Sequence, residues 1–87
     1  MRVVVTRIGP DSSLWRRMID TAGRGDRGQW EASIARALVV EPPYRPLPGG
    51  LVWHVRVDDR VIMVAEEDLA GPLRDLVTAV LAAGEPL

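Results

Sequence analysis

The chain holds a single histidine, His54, three serines and no cysteine. Those side-chain types supply most nucleophiles and general bases in proteins. A Ser-His arrangement would have to use His54, yet Ser12, Ser13 and Ser33 all lie outside a G-x-S-x-G elbow. One His without Cys also falls short of the common zinc patterns. Asp58-Asp59 and Glu66-Glu67-Asp68 offer hard oxygen ligands, but neither has the spacing of a calcium loop. The first pair reads as turn chemistry. The second reads as negative charge at the start of a helix, where the macrodipole favours it. The run Gly23 to Gly28, with Arg24, Asp26 and Arg27 between glycines, lacks the Lys-Ser/Thr of a P-loop and reads as a flexible linker ahead of a helix. No catalytic set, cofactor site or metal site is therefore expected.

Two features fit binding better than catalysis. The segment Glu41–Gly50 carries four prolines and two glycines. Proline restricts the unbound loop, so less entropy is lost when the loop docks. Pro43, Tyr44, Arg45 and Leu47 are its candidate contact residues, Tyr and Arg being enriched at interface hot spots. A plain rigid crossover is the competing reading of the same segment. The second feature is a sheet face, described next, on which exposed apolar side chains would mark a partner surface or a homodimer.

The elements that must position these residues follow from periodicity. Residues 2–8 are short and β-branched, which predicts a strand, and Gly9–Ser13 is a run of turn formers. Leu14 to Thr21 reads as the antiparallel partner, decorated by Arg16 and Arg17. Asp26 is placed to cap a helix through its carboxylate. In that helix Trp30, Ile34, Ala37 and Leu38 share one face, and it must end before Pro42. Leu51 to Val57 alternates cleanly, Asp58-Asp59 occupies a two-residue turn, and Arg60 to Ala65 returns. Pro72 suits a first helical turn, and Leu73, Leu76, Val77, Val80 and Leu81 form the second stripe, stopped by Gly84 and Pro86.

The predicted fold is α+β, in the order ββαββα. It is a two-layer, four-stranded, mainly antiparallel sheet with both helices on one face. Trp30, Ile34, Leu38, Leu73, Val77 and Val80 should pack on Val5, Trp53, Val55, Ile62 and Val64. The other face should leave Val52, His54, Arg56, Val61 and Met63 open, and a homodimer through that face is the alternative to a foreign partner.

Bulk properties bound the rest. The 87 residues fit one domain, and the hydrophobic and charged fractions, 47% and 26%, are those of a globular chain. A net charge of −1, with 11 arginines against 12 acids, provides no positive field for nucleic acid. Basic residues paired with exposed aromatics, the mark of single-strand binders, are not expected. No apolar run is long enough for a membrane span or a signal-peptide core, and a cytoplasmic protein is expected.

The stretch from Trp53 through Val55, Val57, Asp58, Arg60, Ile62, Val64, Glu66 and Asp68 to Leu69 is followed by Pro72-Leu73-Arg74-Asp75-Leu76-Val77. It resembles the C-terminal half of the emfourin-type inhibitors of protealysin. Their hairpin reads roughly Y-x-V-x-V-D-G-R-x-V-x-V-P-E-x-D-L, followed by a P-L-x-x-L-V helix. Met1–Arg7 and Ile19-Asp20-Thr21 resemble the same family. The chain departs from the pattern at Asp59, in place of the hairpin Gly, and at Ala65, in place of Pro. It also has Gly9-Pro10-Asp11-Ser12-Ser13 where a Gly-Gly pair is usual. The resemblance implies a proteinaceous inhibitor of thermolysin-like metallopeptidases that fills the protease cleft without doing chemistry itself.

Overall fold

A computed structural model describes residues 1–87. β-branched runs give β1 (Arg2–Ile8), β3 (Val52–Val57) and β4 (Arg60–Ala65), while Leu14–Asp20 forms β2. The two apolar stripes become α1 (Arg27–Ala37) and α2 (Gly71–Ala83). All pairings are antiparallel. The sheet has five strands rather than four. Beyond the end of α2, Glu85–Pro86 forms β5, which pairs Arg17 with Pro86 and Met18 with Glu85 on β2. The order across the sheet is β4-β3-β1-β2-β5. A two-residue strand has no periodicity to detect, and Gly84 and Pro86 do stop the helix as their chemistry requires.

The register aligns Ile19, Val3, Val57 and then Val5, Val55, Ile62 in rows on one face. These side chains form one cluster with Trp30, Ile34, Ala37, Leu73, Leu76, Val77 and Val80, so both helices cover the same face. Leu38 contributes less than its spacing implies. It sits at the C-terminal cap of α1 and stays half-buried at the rim of the core.

Three polar details differ from the sequence reading. Asp26 does not cap α1 with its side chain. Its carboxylate instead accepts the Trp30 indole N–H at 3.0 Å and the Arg24 guanidinium at 2.9 Å. Gly28 lies inside α1, which starts one residue earlier. Glu66–Asp68 forms a separate 3₁₀ turn before α2. Its charges therefore meet side chains rather than the α2 dipole: Glu66 accepts the indole N–H of buried Trp53, and Asp68 accepts Arg45.

Candidate protein-binding surface

The segment after α1 exposes most of its apolar side chains. Val39 and Val40 are 79% and 72% exposed, Tyr44 48% and Leu47 55%. Four large apolar side chains left outside within nine residues depart from the usual scatter of single exposed hydrophobics. The backbone is nonetheless held. Arg45 Nη2 donates to Asp68 at 2.8 Å, pinning the middle of the loop to the 3₁₀ turn. That carboxylate keeps the guanidinium charged to still higher pH than an ordinary arginine. A turn from Leu47 to Gly50, with Gly49 at φ +74°, returns the chain to the sheet. Beside the loop runs an apolar groove of about 510 Å³ between the end of α1 and the start of α2, lined by Ala37, Val39, Val40, Pro42, Pro72 and Leu73.

Among the four predicted contact residues, Pro43, Tyr44 and Leu47 face solvent, and Arg45 divides its length between solvent and Asp68. Val39 and Val40 were missed. The apolar stripe of α1 ends at Leu38 and the helix itself at Ala37, so both valines fall outside the packed face.

The helix-free face carries a second, more polar groove of about 570 Å³, lined among others by Val4, Thr6, Ile8, His54, Arg16 and Arg56. His54 lies on this face, half-buried, with Thr6 and Met63 as its cross-strand neighbours. Val52 and Met63 are half-buried too, whereas Arg56 and Val61 are exposed. No group of three or more His, Cys, Asp or Glu side chains is arranged to hold a metal ion. No helix is long and apolar enough to cross a membrane.

The hairpin β1–β2 corrects one expectation. Trp15 is partly exposed, and the guanidinium carbons of Arg7 and Arg17 lie 4.9 and 4.4 Å from its ring centroid. An exposed aromatic is thus paired with two cations, within cation–π range. The signal was available: Arg17 follows Trp15 by two residues, and the hairpin register sets Arg7 directly opposite Trp15.

Gly23, Gly25 and Gly28 fall at the spacing G-x-G-x-x-G. That fingerprint works in a βαβ unit with a parallel sheet, where a helix N-terminus faces a pyrophosphate. Here every pairing is antiparallel, and the Asp26 carboxylate stands at the head of α1, where it repels anions.

No family model, no curated protein and no solved structure matches the chain.

Proposed function

We propose that the protein is a non-catalytic binding domain that inhibits a thermolysin-like metallopeptidase by inserting the loop after α1 into the substrate cleft. The single observation that carries this reading is the loop itself. Val39, Val40, Tyr44 and Leu47 are exposed on a segment restrained by four prolines and by the Arg45–Asp68 ion pair. Apolar and aromatic anchors on a preorganised backbone are what a cleft-filling inhibitor needs, because docking then buries surface without ordering a flexible chain. The hairpin-and-helix resemblance in residues 53–77 supplies the identity of the target class.

The test is inhibition of a thermolysin-like metallopeptidase from the same organism, assayed on a peptide substrate. One-to-one titration to zero activity is expected. Tyr44→Ala combined with Leu47→Ala should weaken inhibition by about tenfold or more, the loss of two anchors of roughly 1 kcal/mol each. The urea midpoint should not move, since neither side chain touches the core. A peptidase left fully active at micromolar excess of the protein refutes the reading.

A further inference from the structure

The groove on the helix-free face is lined by cations that no carboxylate answers. It runs along β1, with Val4, Thr6 and Ile8 as its floor. Leu14 and Arg16 of β2 form one wall, and His54 and Arg56 of β3 the other. Arg2 stands at one end. The whole chain carries a net charge of −1, yet three guanidinium groups line this one groove. The ion pairs of the molecule are Arg24–Asp26, Arg27–Glu31 and Arg45–Asp68. Arg2, Arg16 and Arg56 therefore have no carboxylate within ion-pair reach, the terminal one of Leu87 included. Asp58, the one acidic side chain in the lining, accepts the backbone N–H of Arg2 at 2.9 Å. Arg56 spends only its Nε, on the Asp58 carbonyl at 2.7 Å.

Thr6 marks the point where an anion would sit. The register sets it between Arg16 on β2 and His54 on β3, with cross-strand Cβ atoms about 5 Å apart. Thr6 and Thr21 are the two buried polar residues of the chain. Thr21 donates its hydroxyl to the Met1 carbonyl at 3.2 Å. Thr6 is 5% exposed and its hydroxyl makes no hydrogen bond within the chain. No side-chain oxygen fully sealed from solvent lacks a partner, so the Thr6 hydroxyl is the part of that residue that reaches the groove. It is a free donor at the bottom of the groove, with guanidinium and imidazole N–H donors beside it. Carboxylate and phosphate oxygens are the acceptors that such a set of donors matches. One row further along β1, roughly 7 Å away, Leu14, Ile8 and Val52 lie side by side in register. A row of donors and a row of apolar side chains thus lie end to end.

We infer that this groove binds a small amphiphilic anion. A carboxylate or phosphate head is held by Thr6, Arg16, His54 and Arg56, and an apolar body lies on Ile8 and Leu14. A volume of about 570 Å³ with an apolar floor and a few converging polar groups is that of a small-ligand site. The charge selects an anion, and the neighbouring apolar row selects one that is not a bare inorganic ion. The site shares no residue with the groove beside the loop after α1, so the two bind independently.

Titration of the full chain with hexanoate, hexyl phosphate and hexanol, followed by amide chemical shifts at low salt, tests this. At least one of the two anions should saturate with a Kd of about 1 mM or tighter, and the tighter of them identifies the head group. The shifts should centre on Val4, Thr6, Arg16 and His54. Hexanol, which lacks the charge, and inorganic phosphate, which lacks the apolar body, should each bind at least about tenfold more weakly. Thr6→Val keeps the shape of the side chain and removes the hydroxyl, and Arg16→Gln removes an exposed charge. Each should weaken the anion about fivefold or more while the thermal midpoint stays in place. Failure of both hexyl anions to saturate by about 10 mM overturns the inference. So does hexanol or inorganic phosphate binding as tightly as they do, affinity unchanged in both variants, or shifts centred on Val39 to Leu47.

Discussion

Two buried or nearly buried indoles owe their hydrogen bonds to carboxylates that a sequence reading assigns to helix ends. Trp30 donates to Asp26, and Trp53 donates to Glu66. The reason is reach: Asp26 precedes Trp30 by four residues, one helical turn, so the indole competes with the backbone amides for the same oxygen. Sequence logic recognised Asp26 as an acceptor at the start of α1 and mistook its donor. The carboxyl of Asp26 is held below the ordinary aspartate range, first by the Arg24 hydrogen bond and also by Trp30. A depressed folded-state value means stability that is present above the unfolded value of about 3.9 and is lost as pH falls through the folded one. Asp26→Asn keeps an acceptor for Trp30 but discards the charge. The variant should be less stable than the parent at pH 7, and the gap should close towards pH 2, as followed by urea unfolding at each pH.

At the scale of elements, strong periodicity was legible and short or irregular pieces were not. The stripe Leu73, Leu76, Val77, Val80 is buried as its spacing requires, and the Leu51–Val57 alternation sets Trp53, Val55 and Val57 inward. By contrast β5 contains only Glu85 and Pro86, and its pairing depends on where α2 delivers the chain. Gly84 makes that delivery. A Cβ there would stand 2.5 Å from the Val80 carbonyl oxygen and 3.0 Å from that of Met18, both backbone atoms that cannot swing aside. Gly84→Ala should therefore detach β5 or shift the end of α2, costing about 1–3 kcal/mol in chemical denaturation. The exposed patch after α1 was legible only in part. The proline content marked Pro43 to Leu47 as a stiff surface segment, but Val39 and Val40 fall between the end of the α1 stripe and the first proline, where neither periodicity nor turn chemistry assigns them a side. Helix ends are decided by tertiary packing as much as by local propensity.

Across the whole molecule, one core joins both helices to four of the five strands, and it is small. Sixteen buried side chains make up the cluster, so each carries a large share of the stability of an 87-residue chain. Leu76, 1% exposed, lies on the stripe of α2 that faces the sheet. Leu76→Ala should cost about 2–5 kcal/mol. In a domain of this size that lowers Tm by more than about 10 °C, measurable by calorimetry. The ordering of strands also distributes the three tryptophans so that each reports a different part of the molecule. Trp15 stands partly exposed near the turn of the first hairpin, Trp30 opens α1, and Trp53 sits under the 3₁₀ turn. Ultraviolet emission should consequently resolve into a long-wavelength component that iodide extinguishes and two shorter-wavelength components that it cannot reach. Single Trp→Phe replacements would assign each colour, giving a label-free optical record of which region a bound partner touches.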